Sequence, residues 1–161
     1  MITELELAPH QDLELWPLVD PDADTPRVRW HTPSIGDRFV TAESWFEIQE
    51  IMFRLGKPGR EYLIVEPAKN TGTRRWAQCL GRPHALTVEV AETVGNCIDP
   101  DLWRLGRDGP RHPLINLHAQ PSSELWVRPC QALTANEAII AFHDWIGYGE
   151  VDGFTREAVD Y

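Results

Sequence analysis

Six histidines, three cysteines and an Asp-Pro-Asp triplet are the side chains of this chain best suited to chemistry. The histidines His10, His31, His84, His112, His118 and His143 are scattered. Zinc ligands usually come in pairs two to five residues apart, and the nearest two here, His112 and His118, are wider and proline-flanked. Their spacing offers no metal site. Cys130, His143 and Asp144 come closest to a nucleophile, a base and a group to orient it. Cys130, however, follows Pro129 at the end of an apolar run, and His143 adjoins Phe142. A packing cysteine and a surface histidine are the expectation. Asp99 and Asp101 have the spacing to hold a divalent cation, yet aspartates flanking a proline equally bond a turn's own backbone. A turn is expected there. Gly56-Lys57-Pro58-Gly59-Arg60 could grip an anion but reads as a loop that ends a helix. No GxGxxG follows a strand and no GxxxxGK[ST] occurs, so nucleotide binding lacks sequence support. Carboxylates are many, but no pair is isolated for general acid–base work. No catalytic residue, metal or cofactor is expected.

The elements that hold these residues start from 161 residues, the size of one ordinary domain, able to bury roughly 70% of its unfolded surface. No apolar run reaches the roughly 18 residues a bilayer needs, and Met1-Ile2-Thr3-Glu4 lacks the basic start of a signal peptide. A cytoplasmic protein is the expectation. Cys79, Cys97 and Cys130 are odd in number and far apart, which suggests buried thiols rather than a disulfide framework or zinc knuckle.

The net charge of −10 is unevenly placed. Residues 1–26 carry seven acids and no Lys or Arg, residues 27–134 twelve acids against fourteen bases, and residues 135–161 six acids against Arg156. Acidic ends on a balanced middle argue against nucleic acid or an anionic membrane, which need basic surface. They suit a basic protein partner, whose approach they would steer.

Proline at positions 9, 17, 21, 26 and 33 makes residues 1–35 an extended acidic arm, with at most a strand near Arg27–His31. Residues 36–161 form the body. Trp45, Ile48, Met52 and Leu55 follow helical spacing from Thr41 onward, with Glu43 in the first turn and Gly56 and Pro58 as the stop. Tyr62–Val65, Arg74–Leu80 and Leu86–Val90 read as strands, the last alternating as if one face were wet. Asn96–Pro113 reads as loop, with Trp103 the tryptophan of seven best placed to stay exposed as an interface anchor. Leu114–Leu117 and Leu125–Val127 are two further short strands. Thr134 and Glu137 form a capping box ahead of a helix that buries Ala138, Phe142, Trp145 and Ile146, and Gly147 and Gly149 stop it. Short turns between strands favour antiparallel neighbours. The fold class is α+β: a mainly antiparallel curved sheet with one early and one late helix packed on it.

The order of these elements resembles a known family, the immunity proteins that bacteria encode beside deaminase-type polymorphic toxins (the immunity protein one family). The likeness is carried by Gln120, the run Leu125–Arg128, the helix Ala135–Phe142 and the turn Gly149-Glu150-Val151-Asp152. More loosely it extends to Trp45–Leu55 and the strands Tyr62–Val65, Arg74–Leu80 and Leu86–Val90. Leu117-His118-Ala119 replaces the Gly-Gly that usually precedes the Gln, and the closing Trp-Glu of many members is missing. The resemblance implies a non-enzymatic inhibitor in an α+β fold that blocks the active site of a cognate toxin in interbacterial competition. A toxin that edits or cleaves nucleic acid presents a basic substrate groove. Asp144, Glu150, Asp152, Glu157 and Asp160 are the expected contacts, with Trp103 and the arm Asp12–Asp24 behind them. The alternative is a small enzyme or ligand-binding module whose site assembles from scattered residues such as Cys97, Asp99, His112 and His118.

Overall fold

The computed structural model describes residues 27–69, 73–93, 99–117 and 125–159. The N-terminal arm up to residue 26, Cys97, His118, Gln120 and Asp160 lie outside them. In chain order the described elements are β1 (Val28–His31), β2 (Val40–Thr41), α1 (Trp45–Phe53), β3 (Tyr62–Pro67), β4 (Arg74–Arg82), β5 (Ala85–Thr93) and β6 (Asp101–Gly106). Then follow β7 (Ile115–Asn116), β8 (Trp126–Val127), α2 (Ala135–Tyr148) and β9 (Thr155–Ala158). Seven strands form one sheet in the order β2-β1-β3-β4-β5-β6-β9, every neighbouring pair antiparallel. Among the described residues β7 and β8 pair with each other alone, as a separate ribbon. The α+β class with an early and a late helix is what the sequence predicts. No helix among the described residues is long and apolar enough to cross a membrane.

One face of the sheet makes the core. Leu63 and Val65 of β3, Ala77 and Cys79 of β4, and Leu86, Val88 and Val90 of β5 alternate onto it, and all are fully buried. Ile48 and Met52 of α1 and Ala138, Phe142 and Trp145 of α2 belong to the same cluster. Each fully buried Leu, Ile or Phe contributes about 1.5–3 kcal/mol. The Trp145 indole N–H donates to the Ala91 carbonyl at 3.0 Å, so its one polar atom is satisfied inside. Gln49 of α1 donates to Asn136 of α2 at 3.1 Å and ties the helices together. Burial also pushes the Cys79 thiol well above the ordinary range, which makes it an inert packing group.

Five local expectations need correction. α1 begins later than Thr41: Thr41 pairs in β2, and Ser44 is the N-cap that accepts from the Glu47 N–H. Glu43 therefore precedes the helix, and its own N–H donates to Glu47 Oε2 at 2.8 Å. β5 has no wet face, because Thr87, Glu89 and Ala91 are buried opposite Leu86, Val88 and Val90. Glu89 tolerates burial because Gln78 and Arg104, directly opposite on β4 and β6, both donate to it at 3.0 Å. Glu66 is likewise buried between Arg29 and Arg74. The expected loop Asn96–Pro113 contains a strand, β6, and the acidic tail contains another, β9, that pairs with it.

Candidate functional site

Helix α2 and the turn behind it build the most distinctive surface. Its start is fixed as the sequence predicts: Thr134 Oγ1 accepts from the Glu137 N–H at 3.2 Å, and Glu137 Oε1 accepts from the Thr134 N–H at 3.0 Å. Arg107 adds a bond to Glu137 Oε2 at 2.7 Å and anchors the helix to the segment after β6. Gly149 ends the helix in the left-handed region, φ 71°, where a side chain would also run into the Arg75 guanidinium. The chain then turns through Glu150, Val151 and Asp152, with Val151 buried to pin the turn and both acids exposed.

With one side of α2 in the core, the residues at intervals of four on its other side look outward. These are Ile140, Asp144 and Tyr148. Ile140 is 42% exposed and Tyr148 70% exposed, the latter the most exposed large hydrophobic side chain described. Asp144, Tyr148, Glu150 and Asp152 together line an open depression of about 510 Å³. Under it lies His143, only 6% exposed, between the Trp45 ring at 5.3 Å and the Tyr148 ring at 5.9 Å. Its Nδ1 is 3.2 Å from Asp144 Oδ1 and so orients that carboxylate. His143 is thus a buried support, where the sequence suggests a surface histidine; its ring fills space against α1, which the sequence alone does not reveal.

Of the predicted contact residues, the fold brings Asp144, Glu150 and Asp152 together. Glu157 is elsewhere. It lies on β9 opposite Arg104, exposed, 3.8 Å from Arg128 and bonded by Gln131 at 3.3 Å. Trp103 is not a free anchor, because β6 turns it toward the core. Its ring meets Trp145 edge-on at 5.8 Å and carries the Arg156 guanidinium at 5.5 Å. Tyr148 and Ile140 are the residues the sequence reading missed; the interval Ile140–Asp144–Tyr148 is the signal that could have found them. Asp99 and His112 are exposed on separate segments. Among the described residues no three His, Cys, Asp or Glu side chains converge as metal ligands would. The chain matches no family model, no curated protein and no solved structure. The functional reading therefore rests on the surface itself. Asp144, Glu150 and Asp152 thus surround the exposed Tyr148 phenol, and Ile140 lies about two turns earlier on the same outward stripe of α2.

Proposed function

We propose that this chain is an immunity protein of the immunity protein one type, which acts in the cytoplasm and neutralises a cognate bacterial toxin by binding it. The toxin is a deaminase or another nucleic-acid-targeting enzyme, and the acidic surface at the end of α2 occludes its basic substrate groove. The observation that carries this reading is the convergence of Asp144, Glu150 and Asp152 around the exposed Tyr148. A groove built for a phosphate backbone attracts such a surface, and the desolvated tyrosine supplies binding energy that charge alone does not. The resemblance in the run Leu125–Arg128, the helix Ala135–Phe142 and the turn Gly149–Asp152 agrees with it, as does the net charge of −10.

The test is co-expression with the toxin encoded beside the gene, together with a direct binding measurement. The double substitution Glu150→Lys with Asp152→Lys should weaken binding by roughly two orders of magnitude and abolish protection, since reversed charges at a contact cost several kcal/mol. Full protection by a folded double variant would overturn this assignment of the surface. A neighbouring gene that encodes no toxin would overturn the function.

A further inference from the structure

The acidic surface at the end of α2 stands where electrostatics least favours it. A helix is negative at its C-terminal end, and basic side chains are the stabilising ones there. α2 has no basic residue in its last turn, and Asp144, Glu150 and Asp152 gather at that end instead. The cation comes from β4. Ala77 and Cys79 alternate into the core that α2 covers, and Arg75, two residues before Ala77, continues their column toward the end of the helix. A Cβ built on Gly149 would lie 2.6 Å from Arg75 Cζ, 2.7 Å from one terminal nitrogen and 2.9 Å from Nε. The guanidinium therefore fills the space where a side chain at position 149 would stand, directly against the helix C-cap.

Arg75 pairs with Glu92, its neighbour across the β4–β5 ladder, at 3.5 Å. Among the described residues it forms no ion pair with Asp144, Glu150 or Asp152. The three acids thus keep their charge, while the arginine packs on the backbone that leads into two of them.

We propose that Arg75 is a positioning residue of this surface. Tethered by Glu92, it packs on Gly149 and sets the path of the chain from the helix end through Glu150, Val151 and Asp152, so that the two carboxylates stand beside Asp144 and Tyr148. This role takes the surface to be the toxin contact, as proposed above, and assigns Arg75 to hold it from behind rather than to touch the partner.

Arg75→Gln separates holding from charge, because the two act with opposite sign. Loss of a cation beside an acidic surface would by itself speed the approach of a cationic toxin and tighten the complex. Loss of a positioning group loosens the turn. The first measurement needs no partner: hydrogen exchange in the free chain at Gly149, whose N–H donates to the Trp145 carbonyl at 2.9 Å, against Ala138 at the other end of α2, whose N–H donates to the Thr134 carbonyl at 2.9 Å. Arg75→Gln should speed exchange at Gly149 by at least ~10-fold and leave Ala138 within about twofold. With the toxin encoded beside the gene, the variant should dissociate at least ~5-fold faster, its association unchanged or quicker. Glu92→Gln, which frees the guanidinium without removing it, should move both readouts the same way by less, and it keeps the test open should Arg75→Gln fail to fold. Exchange at Gly149 that is unchanged, or that rises equally at Ala138, overturns the role, as does a variant that binds the toxin more tightly. Faster exchange at Gly149 alone, in a chain whose wild type binds no toxin, upholds the grip of Arg75 on the turn and overturns the function proposed for the surface.

Discussion

Charged side chains in this molecule divide by burial, and the division decides what each is worth. Glu89 is 1% exposed and faces Arg104 at 3.0 Å, whereas Glu157, two strands along, is half exposed and 3.8 Å from Arg128. Removing one member of a buried pair strands the other charge, while an exposed pair is worth little. Glu89→Ala should therefore cost about 3 kcal/mol in urea unfolding and Glu157→Ala under about 1 kcal/mol. Equal losses would mean that water reaches Glu89. Glu137 makes a second case. Burial alone would raise its carboxyl, but Arg107 and the Thr134 N–H outweigh that and hold it below the usual carboxylate range. A carboxyl lowered on folding gives stability that is complete above its unfolded pKa and is lost as pH falls through the folded one. Glu137→Gln should flatten the acid limb of a stability–pH curve while leaving the slope above pH ~6 untouched.

At the scale of elements, the hairpin β4–β5 turns too tightly to accept a side chain at Gly81. Gly81 stands at φ +120°, and a Cβ there would lie 2.4 Å from the Ala85 carbonyl oxygen. Gly36, at φ +72°, has open space around it. Gly81→Ala should cost at least ~2 kcal/mol by thermal or urea unfolding, and Gly36→Ala only the ~1 kcal/mol of a left-handed residue. What could be read from the sequence follows the same scale. α2 was legible because its signals are local: Thr134 and Glu137 three residues apart, an apolar stripe behind them, a glycine stop after. β6 was hidden because Asp101 and Gly106 bound it like a loop, and β9 because Thr155-Arg156-Glu157-Ala158 has no apolar alternation. Both need each other's backbone, which no local pattern encodes. The dry outer face of β5 was hidden too, since the arginine that neutralises Glu89 comes from a strand fifteen residues on. In the candidate site, Asp144, Glu150 and Asp152 were legible through charge. Tyr148 and Ile140 were not, because an aromatic and an aliphatic residue on an apolar helix look like core until the other side of that helix is known to be buried.

Across the described residues, charge and apolar exposure are set out in two different combinations. The end of α2 shows Tyr148 among acids. The β7–β8 ribbon shows Leu114, Ile115 and Trp126 near Arg104, which reaches the Trp126 carbonyl at 3.4 Å, and Arg128, which reaches the His112 carbonyl at 3.1 Å. On the proposed function a cationic toxin would be drawn to the first surface, whereas the arginines of the second are paired with Glu89 and Glu157 and leave no acidic patch there, so kinetics can tell the two apart. Raising salt from about 0.05 to 0.5 M shortens the Debye length from roughly 14 to 4 Å and removes steering by exposed acids, while contacts already desolvated in the complex are screened much less. If the proposed function holds, association of the chain with a cognate toxin should accordingly slow by at least ~10-fold over that range, with little change in dissociation. Tyr148→Ala should do the reverse, leaving association nearly unchanged and speeding dissociation by at least ~10-fold, because a buried aromatic anchor acts once the partners touch. Stopped-flow mixing at several salt concentrations measures both rates. Association indifferent to salt, or a Trp126→Ala variant that dissociates faster while Tyr148→Ala does not, would move the interface from the end of α2 to the ribbon.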